Sequence, residues 1–238
     1  MSQFNVYDIF GYLLPGALVV AVFFFALSGV VSPLPDLLSI EGSLALVVLA
    51  YLAGHFLRAS IGEWIKSTRP SEWLLSDEED QKEAKFTQAI KEEIRLAISA
   101  TFSPGSPMVA GAQQQYFDLA YALIVAKNCA GNVPIYNSLY ALYRGLIAAC
   151  WLSLVILPSF VVLAIVFAWA LHQPLSGSWL GLSIVLFFLL LYLAGFPKKM
   201  TERRKLETPL GEQLDVYTNR FAKGVYECFL AWYCTQNN

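Results

Sequence analysis

The chain has 238 residues, of which 57% are apolar and only 14% charged, about half to three-fifths of the charged share of a soluble domain. Sixteen Lys and Arg against eighteen Asp and Glu give a net charge of −2, and mean hydropathy is +0.53. These values exclude a soluble globular protein and a disordered chain. Four Cys in this length are too few for a disulfide scaffold.

Residues 9–31 carry no charge. At 1.5 Å per residue such a helix is about 35 Å long, enough to cross roughly 30 Å of hydrocarbon. Residues 1–8 have no Lys or Arg, and the apolar run is too long for a secretion signal, so it is read as a retained helix. Residues 43–60 form a second span, ending in His55 and Arg58. Residues 146–171 are a third and residues 179–196 a fourth.

All sixteen basic residues lie in two regions, Arg58 to Arg144 and Lys198 to Lys223. The connectors between spans one and two, and between three and four, have none. Positive charge stays on the cytoplasmic side, so four spans place both termini and both basic regions inside. Trp169 and Trp179 flank the second external connector, and Trp64 and Trp73 follow the second span. Indole rings favour such interfacial levels.

The insert, residues 61–145, reads as helices. Ser76-Asp77-Glu78-Glu79 is a capping box, and Phe86, Ile90, Ile94 and Ile98 follow at helical spacing. Residues 103–107 (SPGSP) break the chain. A second helix is predicted over about residues 112–130, stopped by Gly131-Asn132. Pro134 suits the first turn of a third, which runs without a breaker through span three to Leu171. The tail, residues 197–238, carries a helix with Tyr217, Phe221, Val225, Phe229 and Trp232 on one face. That face is expected to pack on the insert helices, a neighbouring subunit or a partner. The expected fold is all-α: a polytopic membrane protein with four transmembrane helices and a cytoplasmic helical domain made by the insert and the tail.

No constellation points to catalysis or to a bound metal. The two His lie on opposite sides of the membrane, and the Cys show no C-x-x-C spacing. No nucleophile motif or glycine-rich phosphate loop occurs, and the spans contain no Asp. No enzyme activity and no cofactor are expected. Nucleic-acid binding is not expected at an isoelectric point near 5.7.

Three polar features stand out. His55 and Arg58 lie one turn apart at the inner end of span two, with Glu63 beyond them and Asp8 just before span one. They read either as a snorkelling Arg with an interfacial His or as a polar latch of Asp8, His55, Arg58 and Glu63. Lys198, Lys199, Arg203, Arg204 and Lys205 form a juxtamembrane basic cluster, either a topology signal or a contact for anionic lipid. Gly177 and Gly181 have the G-x-x-x-G spacing that lets helices approach. Tyr-Leu-Ala-Gly also occurs twice, at residues 51–54 and 192–195.

Some short motifs carry a resemblance. Asp8-x-x-Gly11-Tyr12-Leu13-x-Pro15-Gly16 opens span one and Gly54-His55-x-Leu57-Arg58 closes span two. Leu139-Tyr140-x-Leu142-x-Arg144-x-Leu146 enters span three, and Arg220-Phe221 and Phe229-Leu230-Ala231 lie in the tail. The combination resembles bacterial four-helix membrane proteins carried near anti-phage defence genes, such as the membrane component of Kiwa-type systems. The resemblance implies a non-enzymatic inner-membrane component: a homo-oligomeric scaffold, sensor or membrane-disrupting effector that engages a cytosolic protein. The alternative is a small ion channel or transporter formed by oligomerisation.

Overall fold

The computed structural model describes residues 6–30, 40–61, 86–102, 113–172, 176–195 and 208–237. Among them every regular element is a helix: α1 (Val6–Leu27), α2 (Ile40–Ile61), α3 (Gln88–Phe102), α4 (Gln113–Ala126), α5 (Val133–Leu171), α6 (Gly177–Ala194) and α7 (Pro209–Asn237). The fold is all-α. Three helices are long and apolar enough to cross a membrane, over Gly42–Ser60, Val133–Leu171 and Gly177–Ala194, and Gly11–Leu27 is a shorter apolar helix. Pro158 sits inside α5 without ending it.

Local chemistry sets the helix ends. The stop predicted at Gly131-Asn132 comes earlier, at Ala126, because Asn128 adopts a left-handed backbone (φ 56°). The Cys129 N–H then donates to the Ile124 carbonyl (2.9 Å), and the Asn128 N–H to that of Val125 (3.1 Å). This is the Schellman closure, with asparagine in place of glycine. Gly131 (φ 52°) turns the chain toward α5. At α6 the Ser176 hydroxyl accepts from the Trp179 N–H (3.3 Å). At α7 the Thr208 hydroxyl accepts from the Gly211 N–H (3.2 Å), with Pro209 at the first helical position.

The chain divides into two compact units, Met1–Lys66 with Ser138–Asp215, and Ser67–Asn137 with Val216–Asn238. The first has an interior of small side chains: Ala26, Ala148, Ala149, Cys150 and Ala194 are buried with Val22, Leu57, Ile147, Leu157 and Leu190. Large apolar residues such as Val47, Val162, Ile165, Val166, Ile184 and Phe188 face outward. The second unit is built the other way. Phe86, Phe117, Phe221, Tyr226 and Phe229 fill its centre with Ile94, Ile98 and Ile124. Phe117 meets Phe221 and Tyr226 edge-on, at ring centroid distances of 5.5 Å.

The two tryptophans that flank the second connector differ: Trp179 is 8% exposed, whereas Trp169 is 81% exposed. The Trp179 indole lies against Gly29 and stacks on Phe25, and its N–H donates to the Phe25 carbonyl (3.1 Å). The buried Trp151 likewise donates to the Ala194 carbonyl (3.3 Å). Gly177 and Gly181 make no close approach among the described residues of the chain, since a Cβ at either would meet nothing within 4 Å. The close approaches fall instead at Gly16, Gly29, Gly54 and Gly145.

The two Tyr-Leu-Ala-Gly segments do different work. Gly54 lies inside α2 at a helix crossing. Gly195 caps α6 with φ 68°, its N–H donating to the Leu191 carbonyl (2.7 Å).

Candidate functional site

The site is built on the crossing of α1 and α2. A Cβ at Gly16 would run into the Ala50 carbonyl and lie 2.6 Å from the Gly54 nitrogen; one at Gly54 would run into the Tyr12 carbonyl. The two backbones therefore touch, as small residues at four-residue spacing allow. Pro15 braces the other side of α1, where a Cβ at Gly145 would come 2.8 Å from its ring.

This contact brings Tyr12 to the end of α2. The His55 ring stacks on the Tyr12 ring with centroids 4.2 Å apart and planes 15° apart. Tyr51, one turn before His55, meets it edge-on at 4.5 Å. The Arg58 guanidinium lies 4.8 Å from the Tyr12 ring centroid and donates a hydrogen bond to the Tyr12 hydroxyl. His55 and Arg58 are exposed, and Tyr12 and Tyr51 half-buried. Among the side chains described, no carboxylate pairs with Arg58. The result is a donor-rich cationic and aromatic cluster suited to an anion.

Of the latch residues read from sequence, His55 and Arg58 come together through Tyr12. Asp8 lies within α1, but its side chain is outside the described part, and Glu63 is outside the described residues. Lys198, Lys199, Arg203, Arg204 and Lys205 also lie outside them, as do Trp64 and Trp73. Of the tail-face residues, Phe221, Val225 and Phe229 are core residues of the second unit. Trp232 packs at its margin, 6.0 Å from Phe229. Tyr217 is half-buried under the Arg220 guanidinium, 5.6 Å from the ring centroid.

Sequence reasoning missed Tyr12 and Tyr51 as site residues. Tyr51 was signalled by its spacing of four from His55. Tyr12 was not, because its contact is made between helices.

Two groups in the second unit are shifted by their surroundings. The Tyr226 hydroxyl is buried without a hydrogen-bond partner among the described residues. Burial, and secondarily the Asp118 charge, push its pKa well above the ordinary 10.0. Burial also raises the Cys228 thiol, with Cys129 and Glu227 adding to the effect. Among the described residues no three His, Cys, Asp or Glu side chains gather as a metal-binding set.

No known protein family, curated protein or solved structure matches the chain. The resemblance to membrane proteins of anti-phage systems thus rests on the short motifs alone.

Proposed function

We propose that the chain is a non-enzymatic protein of the bacterial inner membrane, crossing it four times with α1, α2, the apolar part of α5, and α6. Both termini face the cytoplasm. The first unit assembles with further copies into a membrane scaffold, and the second receives a cytosolic protein, as a component of defence against phage. The supporting observation is the distribution of exposed apolar side chains. Among the described residues all the large ones except Leu96, Leu119, Val125 and Val216 belong to the first unit. An outward apolar surface of that kind fits lipid, and a polar surface over an aromatic core fits water. The confinement of every Lys and Arg to two regions supports the orientation. The 22 residues of α1 support the fourth crossing.

Light scattering on the nanodisc-embedded protein, with dye leakage from liposomes containing it, tests this reading. A tight oligomer is expected. An oligomer that leaks would replace the scaffold with a pore, and a tight monomer would overturn the assembly.

A further inference from the structure

The geometry points to a binding site for the phosphate of an anionic phospholipid, formed by Arg58, Tyr12 and His55. The inference rests on the proposed membrane topology, in which α2 ends at the inner face.

Arg58 is not a freely moving surface cation. One of its N–H groups is bonded to the Tyr12 hydroxyl and its guanidinium lies against the Tyr12 ring. A guanidinium has five N–H donors in a rigid fork, so the remaining ones are held in fixed directions. They suit two phosphate oxygens at once. The Tyr12 hydroxyl accepts from Arg58, which leaves its own proton to donate. His55, stacked on the same ring and exposed, carries a ring N–H in either tautomer. Donors of three side chains therefore lie in one cluster, with Arg58 and His55 exposed.

The same helix supplies a lane for the acyl chains. Leu44, Val47, Val48 and Leu52 are all exposed. They run at spacings of three and four into Tyr51, His55 and Arg58, so they share one side of α2. From Val48 to Arg58 the rise is about 15 Å, half the thickness of the hydrocarbon core. A lipid with its phosphate on Arg58 thus finds apolar side chains through its own leaflet. A headgroup carrying its own cation would bring like charge toward Arg58, so the site prefers a net anionic lipid.

The test is native mass spectrometry of the full chain, offered phosphatidylglycerol or phosphatidylcholine with the same acyl chains. One retained phosphatidylglycerol per chain is expected, in preference to phosphatidylcholine. Retention should fall roughly tenfold or more in Arg58→Gln, the scale of a charge-assisted hydrogen bond. It should fall about twofold to tenfold in Tyr12→Phe, which keeps the ring but removes the hydroxyl, and by an intermediate amount in Arg58→Lys. Unchanged retention in Arg58→Gln and Tyr12→Phe would overturn the site, as would equal retention of the two lipids. Displacement of the lipid by inorganic phosphate would make free phosphate the ligand and overturn the lipid assignment. The topology is tested separately, by labelling Ser60→Cys with an impermeant thiol reagent after the four cysteines are replaced by alanine. Labelling from outside would remove the topology beneath the inference. Labelling only from inside, without selective lipid retention, would remove the inference alone.

Discussion

In the first unit Val166 and Phe188 face outward while Ala148, Ala149 and Ala194 are buried; in the second, Phe117, Tyr226 and Phe229 are buried while Lys223 and Glu227 are exposed. Both units are helical, so secondary structure does not separate them. In the proposed topology, solvent does. In water, burying large rings supplies the drive to fold. In lipid that drive is absent between helices, and small residues that let backbones approach take its place. On that topology, Gly16 against Ala50 and Phe117 against Tyr226 are two answers to two surroundings.

The sharpest way to break this comparison is to place the same charge on each outer surface. In the first unit Val155→Arg, near the middle of the third span and exposed, is expected to cost about 3 kcal/mol of insertion free energy. Leu96→Arg in the second unit should stay within about 0.5 kcal/mol. The fraction of each variant recovered in the membrane measures both, and equal losses would sink the idea of two solvents.

A smaller effect tests the helix crossing. Gly54→Ala forces a methyl into the Tyr12 backbone and is expected to destabilise the first unit by about 2 kcal/mol, read as thermal unfolding in detergent. Gly177→Ala, with open space around it, should do no harm. Comparable losses in the two variants would show that the contact at Gly54 is unimportant.

The smallest effect lies in the second core. Tyr226→Phe removes a buried hydroxyl that lacks a partner among the described residues and is expected to stabilise by about 1 kcal/mol at neutral pH. The pH dependence follows from the raised pKa. An unfolded tyrosine ionises near 10 while the folded one stays neutral, so stability is full below about pH 10 and declines above it, by about 1.4 kcal/mol per pH unit. Tyr226→Phe should lose this part of the alkaline decline. Denaturation followed by circular dichroism at about pH 8 and pH 11, either side of the ordinary tyrosine pKa, checks both points, and identical pH profiles for the two proteins would refute the assignment.

Much of the helical layout was legible in the sequence because lipid imposes length: the uncharged run of residues 146–171 is as long as a bilayer crossing requires. Helix partners were not legible. Gly177 and Gly181 carry the expected spacing yet meet nothing among the described residues, whereas Gly16 and Gly54 sit on different helices and signal each other through no local pattern. Trp179 shows the same limit, because its position in the sequence says nothing about which way its ring turns. For the candidate site, spacing on one helix revealed His55 and Arg58. Tyr12 is far away in the chain, and only the crossing of α1 and α2 makes it the residue that both touch. Asn128 was readable in principle, since asparagine tolerates the left-handed backbone that ends a helix.

The close contact of Gly16 with Ala50 and Gly54 has a consequence for the order of events during synthesis. Both partners belong to consecutive helices, so their pairing closes only a short loop and can precede contacts that need distant segments. Tyr12, His55 and Arg58 can therefore be gathered while the ribosome is still making α5. The brace of Pro15 on Gly145 must wait for that later helix. In this sequence of events the hairpin of α1 and α2 is the template, and the rest of the first unit is added to a surface already formed.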